Sequence, residues 1–216
     1  MSWHFEIVAD GFSLTEGPVW DGTGLLFTDI NNSRIMRYDP SSGDITMFHD
    51  ATERTNGLIL DRSRRLYGCS QNRGAIVRFE DDGSLTTIVG IYEGKRLNSP
   101  NDLAIDEQDR IWFTDPRYDD LAPPRELEHM SVYRADPGSQ DSWCLERVTF
   151  DTTRPNGILV SPVALSVEVA LYTRWLPPCR SSQPGRGKLR SCRSSPQAFR
   201  LPCRPSWREE ASPCHS

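Results

Sequence analysis

The sequence predicts an all-β fold, because a short motif recurs along the chain and strand-like runs follow each copy. Each copy begins with a residue that has a side-chain oxygen, followed by glycine or aspartate and a short apolar run. The copies begin at Glu16, Asn56, Asn101 and Asn156, with steps of 40, 45 and 55 residues. Repeats of roughly 40–50 residues that consist of short strands are typical of the blades of a β-propeller.

The first copy shows the internal pattern most clearly. Turn-forming residues separate four short strand-like runs, at 18–21, 25–30, 34–39 and 45–48. Four short strands per repeat is the composition of one propeller blade, whereas a solenoid repeat would be shorter or helical. Aromatic residues in the first and third copies are expected to pack between blades: Trp20, Phe27, Trp112 and Phe113.

The first residue of each motif suggests a metal site. In a propeller the first strand of each blade lines the central axis, so equivalent residues of successive blades form a ring. The ring residues Glu16, Asn56, Asn101 and Asn156 would bring four side-chain oxygens to one end of the channel. Oxygen ligands without Cys or His suit a hard cation such as Ca²⁺, which takes roughly 6–8 of them. The alternative is that these residues only cap turns.

Charge is unevenly distributed along the chain. Residues 163–216 hold nine basic and three acidic residues, whereas the rest of the chain holds 16 basic and 27 acidic ones. The acidic repeat region is consistent with a cation site and unsuited to nucleic acid. The N-terminal residues show no secretory signal and no run near 18 apolar residues occurs, so we expect no membrane partner and a cytoplasmic location.

The segment 163–216 differs in composition from residues 1–162. It is rich in Arg, Ser and Pro and contains four of the six cysteines, at spacings that match no usual zinc pattern. We expect an atypical, disordered tail after residue 162, where the repeat pattern breaks off as if translation continued in another frame.

Four stretches resemble the senescence marker protein/gluconolactonase family, also called regucalcin-like: LTEGPVWD, NSPNDLAID, WFTDPRY and RPNGILVSP. The resemblance covers about residues 5–162. It implies a six-bladed β-propeller, here incomplete at about three and a half blades, with one divalent metal ion at the axis. The ion would be Ca²⁺ or another divalent cation such as Zn²⁺ or Mg²⁺, and many members of the family are lactonases.

The resemblance also implies roles for individual residues. Glu16 and Asn156 would be metal ligands, and Asn101 a ligand or a residue that holds the substrate beside the metal. Asn98, Asn101 and Tyr118 are the expected substrate-binding residues, and Asn101 and Asp102 the expected catalytic ones. The side chain of Asp102 should nevertheless point away from that of Asn101, since neighbours in a strand face opposite sides. A metal-binding aspartate of the family lies in a later blade, and no residue here is assigned to it, which leaves the general base open.

Propeller geometry predicts which loops surround the metal. Asn31, Asn32, Asn72 and the insertion at 117–130 should lie on the same face as the ring, and the insertion is either a lid or an ordinary surface loop. The expected function is metal-dependent hydrolysis of a small-molecule sugar lactone, with little or no turnover by this chain. The alternatives are a non-catalytic propeller remnant or interaction module, and an organophosphate-hydrolysing phosphotriesterase.

Overall fold

Antiparallel β-sheets make up the fold. A computed structural model describes residues 4–117, 124–161, 166–171 and 198–202. Within these residues there is no α-helix, and therefore no helix long and apolar enough to cross a membrane. The prediction of an all-β fold is confirmed.

Two four-stranded sheets form the first half of the chain, each with its strands in sequence order. The strands of the first sheet, which we call blade 1, are β1 (Thr15–Trp20), β2 (Leu25–Asp29), β3 (Arg34–Tyr38) and β4 (Ile45–His49). Those of blade 2 are β5 (Thr55–Leu60), β6 (Leu66–Ser70), β7 (Ala75–Phe79) and β8 (Leu85–Val89).

A small hairpin separates blade 2 from the remaining sheets. It consists of β9 (Ile91–Tyr92) and β10 (Lys95–Arg96). The four strands of blade 3 are β11 (Leu103–Ile105), β12 (Ile111–Asp115), β13 (Ser131–Pro137) and β14 (Trp143–Arg147). Blade 4 has three described strands, β15 (Pro155–Val160), β16 (Ser166–Leu171) and β17 (Ala198–Pro202).

The four sheets are arranged as blades around one axis. The first strands of successive sheets contact one another, with β1 against β5, β5 against β11 and β11 against β15. The other strands of each sheet follow outward in sequence order. This arrangement is that of an incomplete β-propeller, as the sequence predicted.

Apolar side chains fill the spaces between blades. Leu26 and Ile35 of blade 1 pack with Leu58 of blade 2. On β12, Phe113 belongs to the core between blades 2 and 3, whereas Trp112 belongs to the core between blades 3 and 4. Both aromatic residues are buried, as predicted, because successive side chains of a strand point to opposite faces of the sheet.

The prediction that Trp20 packs between blades is wrong, since its side chain is 53% exposed. Trp20 lies opposite Leu25 in the ladder, on the face of blade 1 that points away from blade 2. A groove of about 480 Å³ runs along this face, lined mainly by apolar residues that include Phe12, Leu25 and Phe27. Phe27 is half-buried and meets Phe12 edge to face. No blade of the described residues covers this face.

Two segments of the expected disordered tail are strands. β16 pairs with β15, and β17 pairs with β16, both antiparallel. Val167 and Val169 are buried against blade 3, and Glu168 between them is only half-buried. The alternation of SVEVAL accounts for β16, because it gives this strand one apolar face. The other residues of the tail lie outside the described residues.

Candidate axial site

The ring residues lie at the same end of adjacent inner strands. Glu16, Asn56 and Asn156 are each the second residue of the first strand of a blade, and Asn101 lies two residues before β11. Glu16 is exposed and Asn156 half-buried, whereas Asn101 is buried. The structure therefore brings the predicted metal-binding residues to one end of the blade array.

Glycine follows three of the four ring residues, and at two of these glycines, Gly17 and Gly57, adjacent blades touch through their backbones. A Cβ atom on Gly17 would lie 2.5 Å from the Asn56 carbonyl oxygen, and one on Gly57 would lie 2.8 Å from that of Asn101. The Gly57 N–H also donates a hydrogen bond to the Asn101 carbonyl, at 2.8 Å. Close approach of this kind requires glycine and draws consecutive ring residues together.

The ladder between the first and second strands is irregular at or next to the ring residue in three blades. The register shifts between Glu16 and Val19 in blade 1, between Thr55 and Leu58 in blade 2, and between Pro155 and Ile158 in blade 4. Bulges of this type re-aim side chains and are frequent next to functional sites. They lie beside the ring residues of these blades.

In blade 3 the ring residue is followed by Asp102 instead of glycine. Backbone N–H groups donate hydrogen bonds to both oxygens of the Asp102 carboxylate. Its Oδ2 atom accepts a hydrogen bond from the Ile158 N–H at 3.0 Å, and its Oδ1 atom accepts one from the Leu103 N–H at 2.9 Å. Burial raises the pKa of Asp102, these two hydrogen bonds lower it, and the Glu16 carboxylate raises it further. The side chain is thus directed toward blade 4, and its catalytic role stays a prediction.

Two buried aspartates that the sequence analysis did not select hold the loops leading to the ring. Asp29, at the end of β2, accepts hydrogen bonds from the N–H groups of Ser13 at 3.1 Å and Leu14 at 3.5 Å. Asp115, at the end of β12, accepts them from the N–H groups of Asn98 and Ser99, both at 2.9 Å. In each blade the two contacted residues lie three and two positions before the ring residue, which is Glu16 in blade 1 and Asn101 in blade 3. The signal in the sequence was the repeated Phe-Thr-Asp.

The threonine before each aspartate contacts the next blade. The Thr28 hydroxyl donates to the Asn56 carbonyl at 3.0 Å, and the Thr114 hydroxyl donates to the Asn156 carbonyl at 2.6 Å. In blade 2 the corresponding pair is Cys69-Ser70.

Asn98, predicted to bind substrate, is 2% exposed. Its Nδ2 atom donates to Asp115 Oδ2 and to the His129 carbonyl, both at 3.0 Å, and its Oδ1 atom accepts no hydrogen bond from the described residues. Asn98 therefore joins the loop before the ring to the insertion. Tyr118, the other substrate-binding candidate, lies outside the described residues.

The described part of the insertion, 124–130, packs against the body of the protein. Leu127 is 2% exposed in the core between blades 2 and 3, and the Glu126 carboxylate accepts a hydrogen bond from the Arg96 N–H at 2.7 Å. His129 Nε2 lies 2.8 Å from the Tyr133 hydroxyl. The residues that remain for a lid, 118–123, lie outside the described residues.

The three loop asparagines expected around the metal have contacts of their own. Asn31 Nδ2 donates to the Ser13 hydroxyl, and Asn32 Nδ2 donates to Asp29 Oδ2, each at 2.8 Å. The Asn72 carbonyl accepts from Arg96 at 2.7 Å. Their placement around a metal ion stays a prediction.

A family model described as "SMP-30/Gluconolactonase/LRE-like region" matches residues 14–164. The chain belongs to this family. The curated gluconolactonase of Zymomonas mobilis is 27% identical over 177 residues, which are 73% of this chain and 48% of that protein. The chain thus spans about half the length of this relative.

Solved structures of family members have the same fold. A gluconolactonase from Xanthomonas campestris is 37% identical, with a TM-score of 0.69, and the match covers 76% of this chain and 56% of that one. A calcium-binding regucalcin from Agrobacterium tumefaciens is 17% identical, with a TM-score of 0.57 over 73% of this chain and 50% of that one. The second likeness shows the fold alone.

The side chains expected to bind the metal carry donor atoms of a type that suits a divalent cation. The described residues contain no group of three or more His, Cys, Asp or Glu placed to hold a metal ion. The expected ligands, Glu16, Asn101 and Asn156, instead provide one carboxylate and two amides. An all-oxygen donor set suits a hard cation, with water completing the coordination.

Proposed function

We propose that this chain carries the cation site of a metal-dependent hydrolase of sugar lactones. The observation that supports this most strongly is the placement of Glu16, Asn101 and Asn156 at the same end of the inner strands of blades 1, 3 and 4 in a gluconolactonase-family propeller. Ca²⁺ is the first choice of ion, because the expected ligands Glu16, Asn101 and Asn156 all offer oxygen donors and hard cations such as Ca²⁺ prefer these. Zn²⁺ and Mg²⁺ are the alternatives.

The ring residues would bind the cation, and residues of the neighbouring loops would orient the substrate. Glu16 is exposed, so its carboxylate is accessible to an ion from solvent, and the amide oxygens of Asn101 and Asn156 would add ligands. A bound cation would polarise the lactone carbonyl and stabilise the developing oxyanion. Asn98 and Tyr118 would orient the sugar.

Turnover by this chain should be low. A general base must reach the attacking water, but both carboxylate oxygens of Asp102 accept backbone hydrogen bonds. The same observation favours the second candidate function, a propeller module that binds the cation without hydrolysis.

Hydrolysis assays separate these functions. Purified chain would be incubated with glucono-1,5-lactone, and separately with a phosphotriester, in Ca²⁺ and then in EDTA. Slow lactone hydrolysis that EDTA abolishes supports the proposal, and Ca²⁺ binding without hydrolysis supports the non-catalytic module. Hydrolysis of the phosphotriester alone would favour a phosphotriesterase, and lactone hydrolysis that EDTA leaves unchanged would refute metal dependence.

A further inference from the structure

We infer that two dipeptides on second strands, Thr28-Asp29 and Thr114-Asp115, are the positioning residues of the axial site. Each dipeptide fixes the ring residue of its own blade through the aspartate and that of the next blade through the threonine. Together they hold all four ring residues. What the ring binds rests on the proposed function, whereas how the ring is held rests on the contacts alone.

The aspartates act on their own blade. Asp29 and Asp115 are both fully buried. A buried carboxylate costs free energy unless hydrogen bonds compensate it, and here the compensating donors include backbone N–H groups of the loop before the ring. Each aspartate therefore fixes the path of the chain two and three residues before Glu16 or Asn101.

The threonines act on the next blade. Each hydroxyl donates to the backbone carbonyl of a ring residue itself, Asn56 or Asn156. These hydrogen bonds cross from the second strand of one blade to the first strand of the next. They fix the position of the following ring residue relative to the preceding blade.

Blade 2, which lies between the two blades that carry a Thr-Asp dipeptide, has no such dipeptide at the end of its second strand. Its corresponding pair is Cys69-Ser70, and the Ser70 hydroxyl donates to the Glu53 carbonyl at 3.3 Å, three residues before Asn56. Blade 2 thus has no aspartate that accepts hydrogen bonds from the loop before its ring residue, and this ring residue, Asn56, accepts its hydrogen bond from Thr28 of blade 1. The two ring residues whose preceding loops are held by an aspartate, Glu16 and Asn101, are both expected metal ligands.

The hairpin of β11 and β12 provides a matched control. Asp106 is 5% exposed and holds the turn at the opposite end of the hairpin, where it accepts hydrogen bonds from Gln108 N–H, Arg110 and Trp112. Asp106→Asn makes the same chemical change as Asp115→Asn in the same hairpin, but it is remote from the ring.

The experiment compares Asp115→Asn, Thr114→Val and Asp106→Asn in the full chain. Asparagine at 115 offers one acceptor oxygen where the carboxylate uses two, so one backbone N–H of the loop loses its partner. Loss of a residue that orients a metal ligand typically weakens metal affinity about 10–100-fold. For Asp115→Asn we expect calorimetry to show Ca²⁺ affinity weakened by about 10–100-fold. We expect a smaller loss of affinity for Thr114→Val and unchanged affinity for Asp106→Asn. All three substitutions should lower the melting temperature.

A second readout does not depend on the metal. Side-chain amide signals of ¹⁵N-labelled protein should move for Asn101 in Asp115→Asn and for Asn156 in Thr114→Val, and for neither in Asp106→Asn. Equal effects of Asp115→Asn and Asp106→Asn on affinity, or unmoved amide signals, would overturn the inference. If the unmodified chain binds no Ca²⁺, the proposed function loses its metal and the amide signals alone decide the inference. If Asp115→Asn fails to fold, the Thr114→Val comparison decides it.

Discussion

At Asp29 and Asp115, burial and hydrogen bonding act in opposite directions on the carboxyl group. Burial raises the pKa of Asp29, but hydrogen bonds from Asn32 and Arg34 and from backbone N–H groups bring it below the usual value. Burial raises the pKa of Asp115 to about 7, against hydrogen bonds from Asn98 and Ser99 and the charge of Arg96. The difference arises because Asp29 makes a direct ion pair with Arg34 at 2.8 Å.

The raised pKa of Asp115 predicts a pH dependence of stability. Between the usual value of 3.8 and about 7, the folded chain binds a proton at this site that the unfolded chain has released. This group therefore stabilises the fold below pH 3.8, and its contribution is lost as the pH rises to about 7, by up to about 1.4 kcal/mol per pH unit.

Urea unfolding between pH 4 and 8 tests this prediction by comparing the original chain with Asp115→Asn. The variant cannot titrate at 115, so the difference in free energy of unfolding between the two proteins should fall as the pH rises to 7 and level off above it. A difference that stays constant with pH would show that Asp115 is ionised throughout.

Sequence reasoning found the ring residues but not the residues that hold them. The ring positions follow from a repeated motif within each copy. The hydrogen bonds by which Asp29, Asp115 and the two threonines contact the ring and the loops before it join residues 15 to 42 positions apart, and they depend on sheet register and blade contacts. Neither is visible in the local pattern.

At the scale of elements, strands were predictable where alternation and turn residues agreed, as in blade 1. β16 was missed because the Arg, Ser and Pro content of the surrounding tail obscured the alternation of SVEVAL. The contacts between inner strands were predictable only in outline, since the sequence does not show how closely the backbones approach. Gly57 and Gly157, which occupy the same repeat position, illustrate this.

The surroundings of these two glycines predict different costs for an added methyl group. A Cβ atom on Gly57 would lie 2.7 Å from Asp102 Oδ1 and 2.8 Å from the Asn101 carbonyl oxygen, whereas on Gly157 the nearest atom is at 3.7 Å. Gly57→Ala should lower the free energy of unfolding by about 1–3 kcal/mol. Gly157→Ala should change it by less than about 0.5 kcal/mol.

Chemical denaturation of both variants tests this difference. Equal destabilisation by the two substitutions would show that the inner strands are less closely packed at Gly57 than the structure indicates.

At the scale of the whole molecule, the described blades leave one apolar face uncovered. The face of blade 1 that includes Trp20 and Leu25 has no covering blade among the described residues, and nearby Val8 is 57% exposed. The matched solved gluconolactonase is longer, since the match covers 56% of its chain. Exposed apolar surface of this kind promotes association.

We expect the purified chain to self-associate through this face as its concentration rises. Trp20→Ser should weaken the association, because it removes the largest exposed aromatic side chain of the face. Phe150→Ser is the matched control, since Phe150 is 74% exposed in a loop of blade 3. Sedimentation velocity would measure this, and a monomer at every concentration, or equal effects of both substitutions, would contradict the prediction.

Ca²⁺ calorimetry on Glu16→Gln measures whether the ring at the start of the inner strands binds a divalent cation. Glu16 is the one carboxylate among the ring residues, so the substitution removes the formal charge of the site. Glu107→Gln is the control, because it makes the same change at the exposed turn between β11 and β12, away from the ring. We expect Glu16→Gln to lose most of the Ca²⁺ affinity and Glu107→Gln to retain it. Equal affinity in Glu16→Gln and the original chain would show that the ring does not bind the cation and that any cation site lies elsewhere.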